Sequence, residues 1–178
     1  MFKDINVVED KKAKSLSYYC TEADVLRIDD RVIRELIDIS IVNGHCNTRI
    51  NLHASPDAKF HEMVIVQYVD QYYRPHKHLK KGESWHILDG RVAVLIFNDE
   101  GSIVHYSIMG QGEDIVSRVG VDVWHTVIPL TKYAVYLETK PGPYLMGVDS
   151  IYPDWAPDGS NQAEAQEYTR GLLKQVGE

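Results

Sequence analysis

Arg74-Pro75-His76-Lys77-His78-Leu79-Lys80-Lys81-Gly82-Glu83-Ser84-Trp85-His86-Ile87-Leu88-Asp89-Gly90 is the stretch from which the rest of the chain is read. Side chains alternate faces along a strand, so His76 and His78 point the same way, as two ligands of one metal must. A short polar turn then returns the chain at Glu83, which lets a carboxylate on the neighbouring strand meet both imidazoles. Gly90 ends that strand at a tight turn. Two histidines and a carboxylate facing one point suit a divalent first-row transition metal. The bland alternative is a solvated basic hairpin around Lys77, Lys80 and Lys81 whose histidines only decorate a strand. The correctly spaced acid and turn argue against it.

Around this stretch lies a chain of 178 residues, 44% hydrophobic and 25% charged, which is enough for one globular domain with a real core. A net charge of -7 excludes the basic face that a nucleic-acid partner would require. No apolar run approaches the roughly 20 residues of a membrane helix or resembles a signal peptide, so a cytoplasmic protein without a membrane partner is expected. Cys20 and Cys46 have neither metal nor redox spacing and read as reduced thiols.

The pattern predicts an amino-terminal helix from the N-cap Asp29 to about Ser40, with Val32, Ile33, Leu36 and Ile37 as its apolar stripe and Asn43-Gly44 as its stop. From His45 the period changes to two. Strands are predicted near 46–52, 62–69, 72–78, 84–88, 91–97, 103–109, 114–119, 123–129 and 133–138, with Asn98-Asp99-Glu100-Gly101 as the clearest hairpin turn. So many short strands indicate an antiparallel sandwich or barrel. After the turn-rich segment 153–160, a terminal helix capped by Asn161 and Glu164 carries Ala165, Tyr168, Leu172 and Val176 on one face, which packs on its own domain. Residues 1–27 read as an arm, either frayed or adding a strand to a neighbouring subunit, the second being favoured because Tyr18 and Tyr19 want burial. With sheet edges to cover, a homodimer is the expected assembly.

His-x-His, four residues, Glu, six residues, Gly resembles the first cupin motif, complete in His76, His78, Glu83 and Gly90. The words around it resemble one branch, the WbuC-type cupin-fold metalloproteins of O-antigen gene clusters. They are Asn51-Leu52-His53 with Ser55-Pro56-Asp57, Tyr73-Arg74-Pro75-His76-Lys77-His78, Glu83-Ser84-Trp85-His86, Trp124-His125-Thr126-Val127, Pro141-Gly142-Pro143-Tyr144 and Trp155-Ala156-Pro157. The resemblance runs from about Ile28 to Trp155. It implies a mainly β fold, a cupin jelly-roll β-sandwich or barrel with an amino-terminal and a carboxy-terminal helix: an arm 1–27, a cupin domain 28–155 and a terminal helix 156–178 packed on it. It also implies that His125 completes the metal site from a strand across the barrel. Gly120 and Asp122 stand where that family's second motif has Pro and Gly, so the turn before His125 is expected to be reshaped.

Three imidazoles and one carboxylate leave two positions open on an octahedral ion, whereas a structural zinc would be closed in a tetrahedron. Iron, manganese, nickel and zinc all accept these ligands. Arg49, Asn51 and His53 share one face of the first long strand, either lining the cavity and binding an anionic group of a small-molecule ligand or lying on the wet face. Tyr136 and Glu138 are further cavity candidates. His86 has the wrong parity for a ligand, and His45, His61 and His105 read as surface or turn histidines. Three functions are compatible with these residues: a metal-dependent enzyme on a small polar molecule such as a sugar nucleotide or other polysaccharide precursor, an iron-dependent oxygenase, or a non-enzymatic sensing module.

Overall fold

Alternation at period two gives each strand an apolar side to bury, and the chain buries it in three separate interfaces. Residues 2–21, 25–145 and 147–178 are described by the structure, a computed structural model. β1 (Val7–Glu9), β2 (Leu16–Cys20), β3 (Thr48–Asn51), β4 (Phe60–Tyr68), β5 (Glu83–Asp89), β8 (Val116–Val119) and β10 (Tyr133–Pro141) form one sheet in the order β1-β2-β3-β4-β10-β5-β8. β6 (Val92–Phe97), β7 (Ile103–Met109) and β9 (Trp124–Pro129) form the second, in the order β7-β6-β9.

The helix α1 (Asp30–Val42) starts where Asp29 accepts the backbone N–H groups of Arg31 and Val32, and it ends at Asn43 with Gly44 at φ 78°. Its Val32 and Leu36 pack with Ile50, Val64, Val66 and Val135 on one face of the large sheet. Between the sheets, Met63, Ile65, Trp85 and Tyr136 meet Val92, Val94, Met109 and Val127. On the far face, the helix α2 (Gln162–Val176), capped by Asn161 and closed by Gly177 at φ 85°, sets Leu172 against Ala93, Leu95, Phe97 and Ile128. The layers therefore run helix, large sheet, small sheet, helix. No described helix is long and apolar enough to cross a membrane.

Two expectations are corrected. The arm adds its strand to the chain's own sheet: β2 pairs in parallel with β3, Leu16 opposite Thr48, and buries Tyr18 and Cys20 in the α1 core. The tyrosine that asked for burial finds it at home rather than on a neighbour. Met1 and residues 22–24 of the arm lie outside the described residues. Second, 72–78 is not a ladder strand. It is held by single bridges, His76 to His125 and Lys77 to Ile151, so the partner of His76 is β9 and not β5.

Candidate metal centre

Strand parity assigns the inner face. On β10, Tyr136, Glu138 and Lys140 alternate inward, opposite Ile65, Met63 and His61 of β4. On β5 the inward positions are Glu83 and Trp85, the latter opposite Glu138. On β9, His125 and Val127 turn inward while Trp124 and Ile128 face α2. The bridges at His76 add its segment to the edge of β9. The result is that one ligand atom from each of His76, His78, Glu83 and His125 lies within 4.8 Å of all the others.

The tautomers follow from the backbone. Nδ1 of His76 lies 3.1 Å from the carbonyl oxygen of Arg74, Nδ1 of His125 2.8 Å from that of Val123, and Nδ1 of His78 2.5 Å from that of Asp149. A carbonyl only accepts, so each Nδ1 carries a proton and donates it, and each Nε2 presents its lone pair to the centre. His125 Nε2 then sits 2.5 Å from Glu83 Oε1, and His78 Nε2, buried without a hydrogen-bond partner, sits 3.4 Å from Glu83 Oε2. Lone pairs of neutral imidazoles facing a carboxylate at such distances repel unless something positive lies among them. A divalent cation satisfies all four groups at once, so the residues present fit a metal.

The electrostatics agree. Burial drives His76 down to about 3, with the neighbouring imidazoles adding to it, so it is a neutral ligand at physiological pH. Burial opposes the charge on Glu83, but the Lys140 ammonium holds it well below the ordinary carboxylate range. With no cation between them, the Glu83 carboxylate outweighs the burial that opposes protonation of His78 and raises that group, so a proton and a metal compete for its Nε2. Lys140 Nζ bridges Glu83 Oε2 at 3.3 Å and Glu138 Oε1 at 2.9 Å. Burial alone would lower Lys140; Glu138 and Glu83 raise it, so it stays an ammonium ion.

The turn before β9 keeps His125 in place despite its altered residues. Asp122 takes φ 59°, the left-handed conformation for which glycine is usual and Asp is tolerated. Its N–H donates to the carbonyl of His78 at 2.8 Å, and its carboxylate pairs with Lys77 at 2.7 Å. The substitution therefore ties the His125 turn directly to the His76–His78 segment.

Arg49 and Asn51 lie on the face turned towards the small sheet, since they pair with Ile65 and Met63 whereas Ile50 joins the α1 core. Asn51 is buried and donates to Ser17 Oγ and to the Tyr18 carbonyl. His53 stacks on His61 with ring centroids 4.0 Å apart. Tyr136 is buried and donates to Gln67 Oε1, while Gln67 donates to the Val127 carbonyl and so ties the two sheets. Glu138 is buried beside Lys140, and His86 is exposed. His45 and His105 are exposed, but His61, read as a surface histidine, is 3% exposed, because it occupies the inward parity two residues before Met63.

Three partners of the site were not singled out from sequence. Lys140 was legible, since it follows Tyr136 and Glu138 at spacing two. Asp149 and Lys81 were not: Asp149 sits in an aperiodic loop, where its carbonyl holds His78 and its carboxylate pairs with Lys81.

A family model described as Domain of unknown function (DUF6016) matches residues 28–109. No curated protein matches the chain. Among solved structures, the capsular polysaccharide assembling protein CapF from Staphylococcus aureus is similar at 14% identity with a TM-score of 0.51, over 61% of this chain and 29% of that one. A second crystal form of CapF gives 12% identity and 0.51 over 72% and 34%. A mutant of Bacillus subtilis oxalate decarboxylase gives 14% identity and 0.47 over 60% and 28%. The chain thus spans about a third of the length of CapF. The likeness is one of fold, a cupin β-sandwich with two flanking helices.

Proposed function

We propose that this chain is a cupin metal protein that holds one divalent transition-metal ion through His76, His78, Glu83 and His125 and takes a small polar oxygen compound as its ligand. The observation that carries the reading is the set of three backbone carbonyls, of Arg74, Asp149 and Val123, each fixing a tautomer that aims Nε2 at one carboxylate. When bound, such an ion would supply Lewis-acid chemistry to a ligand at this site.

The chain's own residues do the rest. Asp149 and Val123 keep the imidazole planes fixed, and Lys140 holds the second oxygen of Glu83. Glu138, buried and within 3.4 Å of Trp85 Nε1, shares the Lys140 ammonium with Glu83 and so fixes where that charge sits. The likeness to CapF is one of fold, but its description as a capsular polysaccharide assembling protein supports testing polysaccharide precursors, and the 3-isopropenyl-tropolone described as an inhibitor with it adds that compound to the panel.

Elemental analysis of untagged protein tests the centre. About one transition-metal ion per chain is expected, and none in the His76→Ala/His78→Ala double variant. Equal content in the two samples overturns the site. Product analysis with sugar nucleotides, with and without dioxygen, then separates an isomerase or epimerase, an oxygenase and a sensing module.

A further inference from the structure

The guanidinium of Arg49 is set apart from the ion-paired arginines, and Arg74, which like it has no carboxylate partner among the described residues, is closed by the Pro153 carbonyl and the Tyr152 ring. Arg31 meets Asp4 and Asp29, and Arg91 meets Glu113 and Glu178, all near the surface. Arg49 is half-buried on the inner face of β3, and no carboxylate among the described residues lies within ion-pair distance of it. Among the described residues its side chain makes a single hydrogen bond: Nε donates to Ser17 Oγ at 3.0 Å. Ser17 is fully buried, and its oxygen also accepts Asn51 Nδ2 at 2.8 Å, so both lone pairs are engaged. That bond fixes the plane of the guanidinium while leaving its two terminal NH2 groups to donate elsewhere. A cation partly withdrawn from water, immobilised through Nε and given no counter-charge is the arrangement that bidentate recognition of an anion requires.

Its position relates it to the metal centre. Along the sheet, β3 is separated from β5 by β4 and β10, about 14 Å across at the usual strand spacing, and the register Arg49, Ile65, Tyr136, Ile87 sets Arg49 four residues along β5 from Glu83. Arg49 reaches inward over that gap from one side and Glu83 from the other. Tyr136 stands inward on that row: burial raises its phenol and that of Tyr73, Glu138 and Glu83 push both further up, and the charge of Arg49 pulls them back. The same two tyrosines therefore feel the guanidinium and the metal-binding carboxylate together.

We propose that Arg49, held by Ser17 of the amino-terminal arm, binds a carboxylate or phosphate group of a ligand whose other, chelating end sits at His76, His78, Glu83 and His125. The inference rests on the metal-site reading above. It makes the ligand a two-ended molecule, an oxygen chelator with a separate anionic tail, and it makes the arm part of the binding site.

Cobalt-loaded protein gives a spectrum that reports the chelating end alone. Titrating it with 3-phosphoglycerate against glycerate, and with 2-oxoglutarate against 2-oxopentanoate, compares a shared chelating head with and without the anionic tail. At least a tenfold preference for the member with the anionic tail is expected in one pair, and the pair that shows it tells phosphate from carboxylate. Arg49→Met should abolish the preference while the member without the tail still binds, and Ser17→Ala should reduce it by freeing the guanidinium. Equal affinities within both pairs in the wild type, or a preference that survives Arg49→Met, overturn the inference and leave the metal site standing. Should Arg49→Met not fold, the wild-type pairs and Ser17→Ala decide alone. A spectrum indifferent to every compound, tropolone included, removes the metal-site reading itself.

Discussion

Lys140 carries the charge balance of the centre. It is 15% exposed and stands between two buried carboxylates, Glu83 at 3.3 Å and Glu138 at 2.9 Å. Removing one partner of a buried charge pair leaves an uncompensated ion and costs about 3–5 kcal/mol. Lys140→Met should therefore lower the unfolding free energy measured in urea by that order, and Glu138→Gln in the same chain should restore a good part of it, because only one carboxylate then lacks a partner. A double variant less stable than Lys140→Met would show that the cost has another source. Residues differ in how well the sequence exposes them. His76, His78 and Glu83 were readable because they are close in sequence and follow strand parity. His125 comes from a distant strand, and only the resemblance to a second motif pointed to it. Asp149 binds through its backbone carbonyl, a group every residue has, so no residue type at that position signals the role.

Elements were legible wherever amphipathic period and end signals agreed. The helix α1 was read to within two residues at each end and the start of α2 at its cap, because Asp29 and Asn161 are good N-caps, and Asn43-Gly44 stops α1 as expected. The terminal helix packs where its stripe said it would, on its own domain, with Leu172 4% exposed against the outer face of the small sheet. Leu172→Ala should cost about 2–4 kcal/mol, the range for truncating a buried leucine, whereas Lys174→Ala on the wet side should stay within about 0.5 kcal/mol. Chemical denaturation of the two variants checks this; similar losses would mean that α2 is not anchored by that face. The segment 72–78 was misread because alternation also describes an extended chain that makes only isolated bridges. Strand pairing is a tertiary fact, and here the bonds of His76 and Lys77 go to His125 and Ile151 instead of to a continuous ladder. The arm was misplaced for a related reason: two tyrosines announce burial, but nothing in the local sequence says against which surface.

At the scale of the whole molecule, four layers lock a polar row across the inner face of the large sheet, and that row makes stability depend on pH. His53 stacks on His61, and His61 lies opposite Lys140, which in turn contacts Glu83. Burial lowers His53 to about 4, with His61 and the charges of Arg49 and Lys140 adding to the effect. Burial also lowers His61, where Lys140 and Lys81 act in the same direction. Both rings are thus neutral in the folded chain at pH values where the unfolded chain, at its ordinary value near 6.5, already binds protons. Between about pH 6.5 and pH 4 the unfolded state holds the extra protons, so stability falls as pH falls through that window. Below about 4, His53 adds no further loss. After discounting for the partial exposure of His53, the loss is about 1–2 kcal/mol for that ring. His78 runs the other way, since its raised value adds stability that is lost as pH rises through it. Chelated protein unfolded in urea at pH 7.5 and pH 5, alongside His53→Gln and His61→Gln, separates the two. The wild type should lose stability on acidification, and each variant should lose less of it, whatever its absolute stability. An identical pH slope in all three would place the acid sensitivity outside this pair.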